Sequence, residues 1–486
     1  MTHPHRAISF VGLAAWALLG WPCTTPTAWA QTDEEAQGSA EAEDAEGEAP
    51  PAAGPPKEEP PQQGPKILLP PGEIAPEASQ AGAYGLDEEG ASQQSPTILM
   101  PPGEIAPNAP EAGEYGLDYD PLRGMMEARF RRAAKTSVGG YGELHLNVFK
   151  PQGTPANARL DLHRLVLFVA HNFSDRFRFY TELELEHAFI ANSGGVAIPG
   201  SFGIEQAFVD WRLLKGQSTG LYLRTGAILV PMGIINQWHE PPIFHGVERP
   251  LVDTVIIPTT WREGGIGVWG EPIEGLRYEF YVMSGLDASG FTGAAGLRGG
   301  RLQVTTATLN GPAFAGRLEW EPILGMIVGV SPYFGLAGPR NLDVNVKVGG
   351  AAADWRIRRK GFESRAVIAY FHVSNTDALR TMPPGETRVV SDVGSNLFGA
   401  YAEIAYNVIF FVDTPMELLP FVRLDYYDTT FREADPAYDL PAYLVPTVGL
   451  SYRPIQQVVF KFDYQAVRAS AGPNENRWNV GFGWMF

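Results

Sequence analysis

The stretch "RFRFYTELELEHAF" (176–189) alternates along most of its length. Phe177, Phe179, Thr181, Leu183, Leu185 and Phe189 take one set of positions; Arg176, Arg178, Tyr180, Glu182, Glu184 and Glu186 take the other. A period of two puts each set on one face of a β-strand. The scheme recurs in "AFVDWRLL" (207–214), "LYLRTGAIL" (221–229), "LRYEFYVM" (276–283), "GRLEWE" (316–321), "FVRLDYY" (421–427) and "VVFKFDYQ" (458–465). A soluble sandwich alternates too, but sustained division into charged and apolar or aromatic faces fits strands with water on one side and lipid on the other.

The connections sharpen this expectation. Tight links ("NFSDRF", "EPIEG", "EPILG", "RRKG", "RPIQQ") alternate with long ones ("ANSGGVAIPGSFG", the glycine-rich 288–300, and 374–396). Short turns on one rim and long loops on the other predict an all-β fold, a transmembrane antiparallel β-barrel of about sixteen strands over 138–486. An even count leaves both termini on the periplasmic side. The chain ends in "WNVGFGWMF", where Trp478, Val480, Phe482, Trp484 and Phe486 share one face. An unpaired sheet edge in hydrocarbon leaves backbone groups unsatisfied, so this last strand is expected to pair with the first. Its terminal Phe486 resembles the assembly signal that outer-membrane proteins present to the barrel-assembly machinery. Trp320, Trp355, Tyr426, Tyr427, Tyr464 and Trp478 are candidates for interfacial aromatic girdles.

Upstream of the barrel the pattern is different. Residues 1–30 read as a signal peptide: His3, His5 and Arg6 precede the apolar run Ile8 to Leu19, and "AWA" precedes Gln31. Cys23, the only cysteine, falls inside it, so the mature chain offers neither disulfides nor thiolate ligands. Residues 31–137 form an acidic, proline-rich segment expected to be disordered and periplasmic. It holds two tandem repeats, "KILLPPGEIAPEASQAGAYGLDEE" (66–89) and "TILMPPGEIAPNAPEAGEYGLDYD" (97–120), which read either as duplicated linker or as paired motifs for one partner. "MMEARFRRAAK" (125–135) reads as a short basic surface helix or a polar stop before the barrel. The formal charge of −18 is concentrated before about residue 120, and no basic stripe suits nucleic acid.

The longest link of the first half, 230–265, mixes Ile234, Ile235, Ile243, Phe244, Val255, Ile256 and Ile257 with Trp238, His239, Glu240, His245, Glu248, Arg249, Asp253, Arg262 and Glu263. Apolar residues to pack on a wall and charges to face a channel suit an inward third loop, with the second group forming the pore constriction. "RTGAILVPMGIIN…HGVERP", through Gly226, Pro231, Gly233, Glu248 and Arg249, resembles the phosphate-selective porin O/P family. That resemblance implies a homotrimer of sixteen-stranded barrels in the outer membrane of a Gram-negative bacterium, passing small anions without a cofactor. The family's phosphate binders line the constriction with lysines, whereas 230–265 has none, a departure that bears on phosphate specificity.

Arg178, Arg212, Arg224, Arg277, Arg317, Arg356, Arg365, Arg423 and Lys461 fall on the polar faces of their strands. They form either a cationic ladder for anions or a mixed-charge wall paired with Glu182, Glu184, Asp210, Glu279, Glu319, Asp425 and Asp463. "HEPPIFH" lacks the spacing of a helical zinc motif, and no nucleophile elbow or phosphate-binding glycine loop is present, which argues against an enzyme. The expected function is passive diffusion of small hydrophilic solutes. The alternative is a barrel that only anchors a tethering segment to the cell wall or an envelope partner.

Overall fold

The computed structural model describes residues 135–486 apart from 189–190, 194–195, 199, 215–219, 306, 308–310, 339–343 and 381–390. The signal peptide, both repeats and nearly all of 31–137 lie outside the described residues.

Alternating segments become strands in the expected places: β1 (Thr136–Pro151), β2 (Asn157–Asn172), β3 (Phe177–Glu186), β4 (Ala191–Ser193), β5 (Val196–Ile198), β6 (Ser201–Arg212), β7 (Leu221–Leu229), β8 (Arg262–Ile273) and β9 (Leu276–Ser284). They continue as β10 (Pro312–Ile323), β11 (Met326–Leu336), β12 (Lys347–Arg359), β13 (Phe362–Val373), β14 (Asn396–Tyr406), β15 (Glu417–Asp428), β16 (Tyr443–Ile455), β17 (Val458–Ala469) and β18 (Glu475–Met485). β4 and β5 pair only with each other; the other sixteen form one closed antiparallel barrel. β18 pairs with β1 from Tyr141↔Met485 to Pro151↔Glu475. Beyond it, Gly140 and Phe486 exchange two backbone bonds of 2.9 Å, so the chain's last residue completes the seam.

Alternation sorts the two faces. On β17, Phe460 and Phe462 are exposed outside while Lys461 and Asp463 are buried inside. Trp320, Trp355 and Trp478 stand outside as expected, and Tyr464 shares the outer face and packs against Trp478. Tyr427 is a correction. Adjacent residues on a strand point to opposite faces, so Tyr426 and Tyr427 cannot both face lipid; Tyr427 follows Arg423 and Asp425 inward, packs against the interior core and stacks on Tyr443.

The interior is not uniformly polar. Ala313, Ala315, Tyr333, Val348, Ala352, Val367, Ala369, Phe371, Leu397 and Tyr401, from β10 to β14, are buried in one cluster with residues of the segment between β7 and β8. Small side chains leave room there: a Cβ on Gly399 would stand 2.8 Å from Ile256.

Candidate functional site

The segment 230–261 leaves β7, lies inside the barrel and returns at β8. Its start requires glycine twice. Gly226 has φ 139° and a Cβ there would meet the Ala207 carbonyl at 2.1 Å; Gly233 has φ 64° and a Cβ would press on Ile257 and Asp253. Asn236 then pins the base of the loop, donating to the carbonyls of Val230 and Trp261 and accepting from the Trp261 N–H. Ile234, Ile235, Phe244, Val252, Ile256, Ile257 and Trp261 supply the apolar side that fills the interior cluster.

The polar side of the loop is bonded to the wall. The backbone N–H of Val247 donates to Asp463 at 2.6 Å and that of Leu251 to Asp425 at 3.0 Å. Ser451 donates to the His245 carbonyl and Lys461 to the Gly246 carbonyl, with the Lys461 ammonium over the Phe244 ring at 3.5 Å. Lone backbone groups of an irregular segment thereby find partners among strand side chains, as buried backbone requires. Part of the polar face of β15–β17 therefore serves to hold the loop.

The residues expected at a constriction divide between two walls. Trp238 packs with Tyr141, Val166, Ile243 and Met485. His239 lies edge-on to Tyr141, with Nε2 3.4 Å from Glu205 and 3.9 Å from Glu182. Burial, reinforced by Arg249, pushes its imidazole down to about 3, so it is neutral at pH 7. His245 turns the other way, stacking on Phe421 with Nε2 3.1 Å from Glu363. Glu248 accepts from Asn147 (2.9 Å) and His145 (3.0 Å), and Arg249 donates to Thr259 (2.6 Å). Glu240 and Asp253 are buried, Asp253 within the single π-helical turn Val252–Ile256. Arg262 and Glu263 correct the expected loop boundary: both open β8, where Glu263 accepts from Ser284 and the Leu302 N–H.

Arginines of the interior lie among carboxylates. Arg224 makes a two-pronged contact with Asp210 (2.8 and 3.0 Å). Arg317 bridges Asp354 and Glu319, Arg356 and Arg277 also reach Glu319, Arg365 meets Glu403, and Arg423 meets Asp425. Arg178 donates to Asn172, and Arg212 donates to the Leu214 carbonyl near the strand end. Beside the loop, a cavity of about 50 Å³ is lined by Arg178, Asp210, Arg224, Gln237, Trp238 and Glu279. It has room for water molecules and presents two cationic and two anionic side chains.

Sequence reasoning did not single out Glu205, Arg164 or Glu143. The first two sit where β-bulges disturb the register. Pairing shifts between Glu182↔Gln206 and Leu183↔Ile204, which leaves Glu205 as the extra residue and buries it inside beside Gln206. A similar shift follows Glu143↔Arg164, the pair joined by a 2.8 Å ion pair. Alternation carried back from Asp210 and Phe208 assigns Glu205 to the outer face, whereas alternation carried forward from the exposed Phe202 and Ile204 assigns it to the interior; the bulge is where the two readings meet.

No protein-family profile matches the chain. The solved Salmonella typhi OmpF complex with daunomycin is similar at a TM-score of 0.50 and 12% identity, over 72% of this chain and 97% of that one. An anion-selective porin from Comamonas acidovorans aligns at a TM-score of 0.47 and 12% identity, over 72% and 99% of the two chains. The first likeness shows a shared barrel fold. In sequence, an uncharacterized protein of Aquifex aeolicus (strain VF5) is 30% identical over 383 residues, covering 76% of this chain and 84% of that protein. The chain therefore belongs to the same family as that Aquifex aeolicus protein.

Proposed function

We propose that this protein is an outer-membrane porin of a Gram-negative bacterium, passing small hydrophilic solutes by passive diffusion, with 230–261 setting the narrow section. The observation that carries this reading is the loop itself: an irregular segment inside a closed barrel, bonded to several strands. Irregular backbone at membrane depth is tolerated where it is buried in protein or lines a water-filled space. The space beside it, with Arg178, Arg224, Asp210 and Glu279, marks the path of passage in this proposal.

Charge selectivity in this reading is weak. A cationic ladder attracts anions only if its charges are unopposed, and Arg224, Arg317, Arg356, Arg365 and Arg423 are all paired. The elements resembling the phosphate-selective porin O/P family (Gly226, Pro231, Gly233, Glu248, Arg249) support the inward loop; homotrimeric assembly and a periplasmic N-terminal segment are further parts of the proposal. The deciding experiment is single-channel conductance of the refolded protein in a planar bilayer, with reversal potential under a salt gradient. Discrete steps with a small reversal potential are expected. Silence from protein shown to be folded and inserted overturns the porin reading.

A further inference from the structure

We propose that Glu182, Glu205 and His239 bind one divalent transition-metal ion, which clips the interior loop to the barrel wall. The three residues come from β3, β6 and the loop, and one donor atom from each lies within 4.8 Å of the other two. All are buried, with Glu205 at 0% and His239 at 2% exposure. Among the described residues, neither ring nitrogen of His239 and neither carboxylate oxygen of Glu205 makes a hydrogen bond. A bare carboxylate and a bare imidazole in a dry interior are costly to leave uncompensated, and a shared cation is one way to compensate both.

The spacing suits a metal better than a hydrogen bond. His239 Nε2 stands 3.4 Å from Glu205 and 3.9 Å from Glu182, too far for good hydrogen bonds. Ligands at ~2.1 Å in a tetrahedron are separated by about 3.4 Å, so a small inward adjustment completes three corners and leaves the fourth for water. The supporting contacts are also in place. Gln206 donates to Glu182 Oε2 at 2.6 Å, Glu182 Oε1 lies 3.9 Å from His239 Nε2, and the bulge aims Glu205 inward. An imidazole with two carboxylates selects zinc, copper or nickel over calcium or magnesium, which prefer all-oxygen shells.

Of the nearby cations, Arg164 pairs with Glu143 and Glu184; Arg249 donates through Nη1 to Thr259, while among the described residues its Nε and Nη2 make no hydrogen bond and none of its nitrogens bonds Glu205 or Glu182. Two other convergent groups, His145–His163–Glu248 and Asp161–His163–His187, already have their donors engaged. His145 bonds Glu248 at 3.0 Å, His163 meets Arg164 at 2.8 Å and His187 meets Asp161 at 2.7 Å. Each of those groups holds two histidines, whereas the proposed site holds one, which makes them spectroscopically distinct.

The test uses the folded full barrel in detergent, stripped with chelator and titrated with Cu²⁺, read by electron paramagnetic resonance. One equivalent with hyperfine splitting from a single imidazole nitrogen is expected. His239→Gln and Glu205→Gln should each weaken binding by at least about tenfold, and His372→Gln on the outer face should not. A two-nitrogen spectrum, binding indifferent to His239→Gln, or no binding overturns the proposal. If the variants do not fold, the nitrogen count on the unmodified protein decides.

Discussion

Asp253 shows how one buried group ties the loop to pH. Burial pushes its carboxyl up to about 7; the Tyr401 hydroxyl opposes this, Asp354 and Asp425 add to it, and Arg365 opposes it. An undocked loop returns Asp253 to the ordinary value of 3.8. The docked state therefore holds the proton more tightly, so docking is strongest below about pH 4, weakens as pH rises toward 7 and levels off above. Conductance noise should rise between about pH 4 and pH 7 in the natural protein, and Asp253→Asn should lessen that rise. Gly233→Ala tests backbone geometry instead: φ 64° and contact with Ile257 at 2.8 Å predict a loss of about 1–2 kcal/mol in loop docking, read as faster proteolysis within 230–261. Gly226 and Gly233 were named from the resemblance to the phosphate-selective porin O/P family, but the positive φ that makes them necessary belongs to the folded chain.

Among elements, the loop and its receiving strands act as a pair. Asp463 bonds the Val247 N–H and Asn479, so Asp463→Ala leaves a buried N–H without a partner. That costs about 1–3 kcal/mol and should turn steady single-channel steps into flickering ones. Arg224→Ala should act differently, by removing the cation opposite Asp210 beside the cavity; the reversal potential should move toward cations in the channels that do fold. The strands were legible because charged and apolar positions alternate over long runs. The receiving surface was not, because "AAADW" and "AVIAYF" put small and apolar residues on both faces. Only when Ala352, Val367, Ala369 and Phe371 are brought against Ile256, Ile257 and Trp261 does the inner face become a docking surface.

At the scale of the whole molecule, closure is the condition for everything inside. β18 pairs with β17 and β1 along its length, and Phe486 completes the seam at Gly140. Truncation before Glu475 opens two edges that hydrocarbon cannot satisfy, and no folded, heat-modifiable species should be recovered on refolding. Phe486→Ala keeps the backbone bonds and tests the side chain alone; if the terminal aromatic is an assembly signal, insertion in cells should fall while refolding in detergent is unchanged.

Sequence by itself determined the class of fold, the placement of strands and turns, and the presence of an unusual segment at 230–261. These follow from a period of two and from loop composition, which are local properties of a chain that must satisfy lipid on one face. Tertiary structure decided which charges meet. The pairings of Arg224 with Asp210 and Arg365 with Glu403 depend on neighbouring-strand register, and His239 and His245 part toward opposite walls although only five residues stand between them. Glu205 is the clearest instance: a single extra residue in β6 places it and its neighbour Gln206 on the same, interior face. A one-residue slip reverses every facing rule, and nothing in a sequence pattern marks where the slip occurs.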